Sequence, residues 1–360
     1  MTILIGDQAT GKSTIAKVLA VCRYFSYIVN YNEKTINYLP KQFYEGLKQF
    51  QINGYIKEDS EIFYENSDYS VKFPNEVLFE LKIISNSERF SNLLKFIEDN
   101  KSKNNHLIQI KEDWNPSEFF FTNEVGKILK NPLFIPIERL LQSISFNKLL
   151  LLSDATEDQL RKLKSIAMNY SNPTEIPVLD LNFYSNNGYD FVKRKEEKSF
   201  YKLAESASGW QSTTPIVLGV KYYNEIKPKP KTFIIEEPEN NLFPKTQKKL
   251  VEFFVENINN HGHQFILPTH SPYILSSLND LLLAYKRGQQ FPDKVINLGY
   301  KKDIWLNPND LSVYQLHEND GTGTTSENIL SEDTRLIKRN IIDDFSDELD
   351  DNFDNLLDVE

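Results

Sequence analysis

The residues most suggestive of chemistry lie near the amino terminus and fit the pattern Gly-x-x-x-x-Gly-Lys-Ser/Thr at every fixed position. Glycines let a backbone wrap closely around a phosphate, and consecutive N–H groups at a helix start bind an anion. The candidate phosphate-binding residues are Gly6, Asp7, Gln8, Ala9, Thr10, Gly11, Lys12, Ser13 and Thr14. The pattern predicts binding of a nucleoside triphosphate.

Three side chains at the end of this loop have separate expected contacts. Lys12 is expected to reach the β- and γ-phosphates, and Thr14 to contact the α-phosphate. The hydroxyl of Ser13 is expected to hold Mg²⁺. An apolar run at residues 2–5 predicts a buried strand before the loop, and residues 13–20 predict a helix after it. Strand, glycine loop and helix therefore occur in the order that a phosphate site requires.

A second chemical feature is a pair of carboxylates after the apolar run at residues 232–235. Glu236 and Glu237 are expected at the carboxyl end of a buried strand, where ligands bind in open α/β sheets. Glu236 is placed to bind Mg²⁺ directly or through water. Glu237 is placed to polarise the water that attacks the γ-phosphate, which makes it a candidate catalytic base.

Two further polar segments complete the candidate site. Ser208 and Gly209 open a helical run, and a helix start with a hydroxyl predicts a second anion site, although an ordinary helix cap has the same composition. His270 follows the apolar run at residues 264–267. It is a candidate to contact the γ-phosphate and to hold the attacking water with Glu237, although a single histidine at a strand end is usually structural.

Composition sets limits on the protein as a whole. The chain has 360 residues and a formal net charge of −10, but residues 343–360 contain nine acids and no Lys or Arg. The rest is close to neutral, so charge neither supports nor excludes DNA binding. The acidic segment predicts an amphipathic helix, and docking of that helix on its own domain is favoured over partner binding. Its apolar residues are Phe345, Leu349, Phe353, Leu356 and Leu357.

Other sequence features bear on location and organisation. No apolar run approaches the ~20 residues needed to cross a bilayer, and no signal peptide precedes the phosphate motif, so a cytoplasmic protein without membrane contact is expected. The single Cys22 excludes an intramolecular disulfide and predicts a buried structural thiol. Residues 30–131 carry no chemical motif; the predicted elements there are a strand at 69–73 and a helix at 86–97.

Local composition also predicts several elements in the second half of the chain. A strand is expected at 133–136, followed by a helical run to Leu152. Helical periodicity continues at 154–169. Residues 171–188 are rich in Asn, Pro and Gly, which punctuate regular structure, and residues 319–325 predict an exposed flexible loop. The Lys-Pro repeat at 227–230 predicts a stiff, extended link.

The ordered set of motifs resembles the ATP-binding-cassette (ABC) ATPases, and within them the soluble bacterial AAA family ATPases related to SMC proteins and the overcoming-lysogenization-defect nucleases. The matching segments are Gly6–Ser13 as Walker A, Ser208–Gln211 as a degenerate signature, Glu236–Glu239 as Walker B and Thr269–Pro272 as the switch-histidine loop. Phe134–Arg139 looks like a motif frequent in that branch, and the resemblance implies that Asn240–Leu242 is the D-loop. The signature departs from the family at Trp210, where a small residue is usual.

The resemblance implies an α/β P-loop NTPase fold, an ABC-ATPase-like head with a mostly parallel core sheet, a helical lobe and an inserted mixed α/β segment. The expected head spans residues 1–342, divided into a P-loop unit (1–29), an inserted or helical lobe (30–200) and a core with signature, Walker B and switch histidine (201–300). The acidic helix at 343–360 follows. Strands and an adenine-contacting aromatic that the family has before Walker A are absent ahead of Gly6, so adenine or guanine selectivity stays open.

In function, the resemblance implies an ATPase that uses ATP and Mg²⁺ and closes as a homodimer, with Ser208 of one copy facing the phosphates of the other. It also implies phage defence or DNA maintenance with a separate effector. The residues after His270 are too few for the C-terminal domain of the family's nucleases, so no nuclease domain is expected. Two alternatives stay open. A P-loop small-molecule kinase would transfer phosphate and have no use for Ser208 or His270. A nucleotide-gated interaction module would bind ATP with negligible turnover. A GTPase is disfavoured, because the guanine-reading Asn-Lys-x-Asp is missing.

Overall fold

The structure is a computed structural model. It describes residues 1–7, 9–29, 46–52, 62–65, 69–73, 80–83, 132–137, 139, 154–319, 323–357 and 359. Gln8, the predicted helix at 86–97 and the helical run ending at Leu152 lie outside these residues.

The described chain contains thirteen strands and seven α-helices. The strands are β1 (Thr2–Gly6), β2 (Ile62–Glu65), β3 (Tyr69–Phe73), β4 (Glu80–Ile83), β5 (Leu133–Ile135), β6 (Thr174–Ile176), β7 (Leu181–Asn186), β8 (Tyr189–Arg194), β9 (Tyr201–Lys202), β10 (Thr232–Ile235), β11 (Gln264–Pro268), β12 (Ser312–Asn319) and β13 (Gly323–Asn328). The helices are α1 (Lys12–Val29), α2 (Asp154–Ala167), α3 (Ser208–Lys221), α4 (Pro244–His261), α5 (Pro272–Gly288), α6 (Pro292–Asn297) and α7 (Ile341–Leu357).

A six-stranded sheet organises the larger of two compact units, which comprises the described parts of Met1–Ala16, Leu133–Leu152 and Thr156–Glu360. Its strand order is β13-β12-β1-β11-β10-β5. All neighbours pair in parallel except β12 and β13, which form an antiparallel edge. Short apolar strands such as Thr232–Ile235 are buried on both faces, as parallel strands covered by helices must be. Because β1, β5, β10 and β11 run parallel, their carboxyl ends meet at one edge.

The central sheet packs against helices through one continuous core. Phe233 and Phe265 stack on adjacent strands with ring centroids 5.2 Å apart, and Phe254 from α4 lies 4.7 Å from Phe265. Helix α4 has Pro244 in its first turn and ends at His261. Gly262 follows as its C-cap, with a φ of 65° in the left-handed region. The core therefore fixes the strands whose ends carry the predicted chemistry.

A second, antiparallel sheet begins within residues 171–188, the segment that is rich in Asn, Pro and Gly. It has the order β6-β7-β8-β9. Its central hairpin turns at Asn187 and Gly188, which have φ values of 49° and 79°. Positive φ at both positions is typical of a type I′ turn, for which Asn-Gly is the preferred sequence. The Asn-Gly pair thus marks the turn of a hairpin whose strands contain alternating buried residues such as Leu181 and Phe183.

Residues 319–325 also differ from the prediction. Asn319 lies in β12 and residues 323–325 lie in β13, and Asn319 pairs with Gly323 and Glu318 with Thr324. Only residues 320–322 lie outside the description. Polar side chains are compatible with this edge pair because the backbone hydrogen bonds between the two strands do not require buried side chains.

The smaller unit comprises the described parts of Lys17–Pro132 and Ser153–Ala155. It contains a three-stranded antiparallel sheet, β2-β3-β4, with the predicted strand at 69–73 in its centre. The second part of α1 belongs to it as well. Cys22 on this helix is buried, and burial raises the pKa of its thiol to about 12, as suits a structural cysteine.

Helix α7 presents its apolar residues to solvent. Phe345, Leu349, Phe353 and Leu356 are between 53% and 72% exposed, and none of the helix residues is buried. At its start, Arg339 forms ion pairs with Asp344 and Asp347. The expected docking of this apolar face on its own domain is therefore not seen, because nothing in the described structure covers it.

Candidate active site

The loop after β1 has the backbone conformation of a phosphate cradle. Gly6 has φ of 147°, and a Cβ atom at this position would come within 2.6 Å of the Leu316 carbonyl oxygen. Gly11 has φ of 87°, and Ala9 adopts φ of 67°. The hydroxyl of Thr10 donates to the Asp7 carbonyl over 2.9 Å. Only glycine fits at Gly6, both for its backbone angle and for lack of space.

Lys12 lies folded over this loop. Its ammonium group donates to the carbonyl oxygens of Gly6 at 2.8 Å and Asp7 at 2.6 Å, and its side chain is buried. Burial lowers the pKa of Lys12, while the charges of Asp7 and Glu237 oppose that change. The lysine therefore sits between the phosphate loop and the carboxylates of β10, as a lysine that binds phosphate must.

The two carboxylates after β10 have different surroundings. Glu236 is buried, and its Oε2 accepts a long hydrogen bond of 3.4 Å from the Ile137 amide. The Glu237 side chain is 39% exposed, and its amide donates to the Pro268 carbonyl over 3.0 Å. Glu237 has φ of 41°, which is unusual for a residue with a side chain. The backbone turns sharply here and directs the two carboxylates into different environments.

Arg139 donates hydrogen bonds to the backbone of this turn. Its residue type alone gave no sign of this role in the sequence. The guanidinium is fully buried and donates to the carbonyls of Ser212 at 2.9 Å, Glu236 at 2.7 Å and Glu237 at 2.6 Å. A planar guanidinium presents five donors in a fixed arrangement and can bind carbonyls that lie in different directions, whereas the single ammonium of lysine has three donors at one point. Arg139 thus stabilises the strained backbone of Glu237. Its place three residues after Pro136 in the Phe134–Arg139 motif was the available sequence signal.

His270 lies beside Glu237, with 4.0 Å between His270 Nε2 and Glu237 Oε1. Burial and then the charge of Lys12 lower the pKa of His270, while Glu237 and Asp7 oppose the change. The imidazole is therefore neutral near pH 7. The structure brings together the three predicted catalytic residues: Lys12, Glu237 and His270.

Glu239 is a further site residue that the sequence-based reasoning did not assign a role. Its Oε1 accepts from the Thr269 hydroxyl at 2.7 Å and from the His270 amide at 2.8 Å. Burial raises the pKa of Glu239, although both hydrogen bonds favour its charged form. The carboxyl group ties the loop after β11 to the loop after β10, and in this way positions His270.

The predicted signature residues lie at the start of α3. Ser208 is exposed, and Gly209 is buried against the Asn241 carbonyl, which a Cβ atom would approach to 2.6 Å. The Ser212 hydroxyl donates to the Asn240 carbonyl over 2.9 Å. Trp210 stacks on Tyr201 with centroids 6.0 Å apart, so this departure from the family pattern has a packing role. The predicted signature segment therefore contacts the predicted D-loop.

The residues present fit a nucleotide with its metal ion. The space around Gly11 is open, with no atom within 4 Å of a Cβ position there, and Ser13 is exposed in the first turn of α1, with Thr14 next to it. In the described part of the chain, no group of three or more His, Cys, Asp or Glu residues could hold a metal by itself. Mg²⁺ characteristically takes one or two protein ligands together with substrate phosphates. Ser13 and Glu236 fit that role.

Comparison with known families decides where the chain belongs. A family model described as an AAA ATPase domain matches residues 25–275, which is more than half of the sequence. The chain belongs to the AAA ATPase domain family. Within the matched residues lie Ser208, Glu236, Glu237 and His270, whereas Gly6–Ser13 precede them. Membership confirms the predicted resemblance to ABC- and AAA-type ATPases, and the mostly parallel sheet confirms the α/β P-loop NTPase fold class.

Among solved structures, the matches include head domains of SMC proteins. The SmcHead bound to the C-winged helix domain of ScpA is 11% identical, with 91% of this chain and 90% of that chain covered, at a TM-score of 0.44. The SMC head domain from Thermotoga maritima is 11% identical, with 91% and 89% covered, at a TM-score of 0.41. Similarity at this level assigns no role to any residue here. No curated protein matches the sequence.

None of the helices in the described part of the chain is both long enough and apolar enough to cross a membrane.

Proposed function

We propose that this AAA-family ATPase domain hydrolyses ATP at the carboxyl edge of its central sheet. The observation that carries the proposal is the convergence of Lys12, Glu237 and His270, with 4.0 Å between the last two side chains. A P-loop kinase needs the lysine but has no use for a neutral histidine beside a half-exposed carboxylate. Hydrolysis uses both, since the attacking water must be held and deprotonated.

In this proposal the loop Gly6–Ser13 binds the phosphates through its N–H groups, Lys12 stabilises the charge on the transferred phosphoryl group, and Thr14 contacts the α-phosphate. Ser13 and Glu236 hold Mg²⁺, which would neutralise phosphate charge when bound. Glu237 accepts the proton of the attacking water. Neutral His270 orients that water, and Glu239 keeps His270 in position.

The hydrolysis proposal is tested by Glu237→Gln. The amide cannot accept the proton, so turnover is expected to fall by ~100-fold or more, while ATP binding persists. Phosphate release and nucleotide affinity are measured side by side. Glu225→Gln, which changes an exposed glutamate paired with Lys221, is the control and should leave both unchanged.

Unchanged turnover in Glu237→Gln would remove Glu237 from the mechanism. Product analysis separates the kinase alternative, because hydrolysis releases inorganic phosphate with no acceptor present. A protein that binds ATP, with no turnover in either variant, would instead be a nucleotide-gated interaction module.

We further propose that two copies close around two nucleotides, with Ser208 of one copy completing the phosphate site of the other. Support comes from the exposed Ser208 hydroxyl at the start of a 14-residue helix, where backbone N–H groups favour an anion. Gly209 packs against Asn241, so the signature and the D-loop form one surface. A two-fold arrangement would make both sites equivalent.

Mixing two inactive variants tests this arrangement. Lys12→Ala and Ser208→Arg should each abolish turnover alone. In a random mixture half of the dimers contain one intact site of two, so turnover should recover to roughly a quarter of wild type. Failure to recover, with both variants folded and inactive alone, would place the whole site within one copy. An active Ser208→Arg variant would place Ser208 outside the site.

For the biological setting we propose phage defence or DNA maintenance with a separate effector and without a nuclease activity in this chain. The motif resemblance supports this setting. Turnover measured with and without DNA, and incubation of the protein with plasmid DNA, ATP and Mg²⁺, test it. Stimulation without cleavage is expected; cleavage by the purified chain would contradict the separate effector.

A further inference from the structure

Four lysines gather at the amino end of β10, at the opposite end of the strand from Glu236 and Glu237. Lys231 directly precedes the strand, and Lys227 and Lys229 alternate with Pro228 and Pro230 in the extended segment before it. Lys162 joins them from α2. We call these residues, Lys162, Lys227, Lys229 and Lys231, the lysine cluster.

Two adjacent tyrosines order the ammonium groups of this cluster. Lys231 Nζ lies 4.7 Å and Lys229 Nζ 6.0 Å from the centroid of the Tyr223 ring. Lys227 Nζ lies 5.7 Å from the Tyr222 ring, and the two rings meet edge to face at 5.2 Å. Cation–π contact explains why these side chains converge, but an aromatic face carries no net charge to neutralise them.

Among the residues that the structure describes, the like charges of the cluster lack a carboxylate partner. None of the four lysines forms an ion pair within the described residues, and the neighbouring Glu225 pairs with Lys221 at 2.7 Å. Lys231 is only 2% exposed. Burial, followed by the charges of the other three lysines, lowers the pKa of Lys231 to about 6. For the same two reasons, the pKa of Lys162 is lowered to about 8.

We propose that the lysine cluster is a binding site for a compact phosphate anion, separate from the nucleotide site. Free phosphate, pyrophosphate or the terminal phosphate of a small ester would accept hydrogen bonds from Lys162, Lys227 and Lys229, with Lys231 beneath them. Ammonium groups bind phosphate as point charges, and one multiply charged anion can neutralise several of them.

The gradient of exposure along the cluster favours a small anion over a nucleic-acid backbone. Lys227 is exposed, Lys229 and Lys162 are partly buried, and Lys231 is buried. A compact anion can approach the partly buried lysines as well as Lys227, whereas a polymer backbone would contact mainly the exposed lysine.

Pyrophosphate binding to the full-length chain tests the proposal. All variants carry Lys12→Ala, so that the P-loop does not contribute, and EDTA replaces Mg²⁺. Titration calorimetry at constant ionic strength compares this background with added Lys227→Met and Lys229→Met. The double change should weaken binding by about tenfold or more, because two of the charged donors are lost. The control pair Lys301→Met and Lys302→Met removes equal charge from exposed positions and should leave the affinity unchanged.

Equal pyrophosphate affinity in all three proteins would overturn the proposal. A calorimetric signal that sodium chloride alone reproduces at the same ionic strength would also overturn it. A parallel titration with a short oligodeoxynucleotide distinguishes the source of phosphate. If the oligonucleotide binds through Lys227 and Lys229 and pyrophosphate does not, the site is a nucleic-acid contact and the proposal is wrong. Because Lys12 is already replaced, none of these outcomes depends on ATP hydrolysis.

Discussion

Near the two ends of β10, two buried lysines have opposite surroundings. At the carboxyl end, Lys12 donates to two backbone carbonyls and lies near the charges of Asp7 and Glu237. At the amino end, Lys231 contacts the Tyr223 ring and is surrounded by other lysines. Burial disfavours the charged form at both ends, but only at the carboxyl end do acceptors and carboxylates compensate.

This difference shows how a parallel sheet places different charged residues at its two edges. Strand ends of one polarity gather on each edge, so residues that follow several strands become neighbours on one edge, as Glu236 and His270 do. Residues that precede the strands gather on the other edge, as Lys231 and His263 do. Substitutions at each end should therefore have different consequences.

The largest expected effect is at the carboxyl end, from Arg139→Met. Methionine is of similar length but removes the hydrogen bonds that the guanidinium donates to the carbonyls of Ser212, Glu236 and Glu237. The free energy of unfolding should fall by about 3–5 kcal/mol, as for other broken buried networks. Chemical denaturation measures this change.

Arg194→Met is the matched control, because this exposed arginine only lies over the Trp210 ring at 5.4 Å. Its replacement should cost less than about 1 kcal/mol. If both arginines gave the same small loss, Arg139 would not support the turn at Glu237.

At the amino end, Lys231→Met should change how stability depends on pH. The pKa of Lys231 is about 6 in the folded protein and 10.5 ordinarily, so between these values the unfolded chain binds more protons. Stability of the wild type should then rise with pH relative to the variant, by up to about 1 kcal/mol per pH unit. Urea denaturation of both proteins at pH 6.5, 7.5 and 8.5 measures the difference.

A stability difference that does not change over this pH range would mean that Lys231 keeps its proton in the folded protein. Lys302→Met serves as a reference for exposed lysines and should run parallel to the wild type at every pH.

A smaller effect is expected from Glu239→Ala, again at the carboxyl end. His270 loses the carboxylate that holds its amide, so turnover should fall by about tenfold with less change in ATP affinity, as for other supporting residues. Steady-state kinetics separates the two quantities. Glu239→Gln keeps an acceptor oxygen and should recover part of the rate; no recovery would argue that charge matters more than position.

The smallest effect belongs to a region outside both ends, helix α7. Phe345→Ala with Leu349→Ala removes apolar side chains that solvent already surrounds, so the free energy of unfolding should change by no more than ~0.5 kcal/mol. A loss of several kcal/mol in thermal or chemical unfolding would show that the apolar face is covered in solution.

Much of the candidate site could be predicted because its residues are consecutive. The loop Gly6–Ser13 and the pair after β10 each occupy one short segment, where strand polarity and glycine conformation decide the geometry locally. The hairpin around Asn187 could also have been predicted from its Asn-Gly turn. Arg139 and Glu239 could not, since each acts through contacts with segments 30 to 98 residues away in the chain.

By itself, the sequence determined that a strand, a glycine loop and a helix follow one another in the order of a phosphate site, and that two carboxylates and a histidine follow buried strands. These follow from local rules of backbone geometry and burial. Only the tertiary structure decided that Glu237 lies next to His270, that Arg139 holds its backbone, and that Lys231 joins three other lysines. Such contacts depend on which strands pair and in what order, and pairing is settled by burial of the whole core rather than by any one segment.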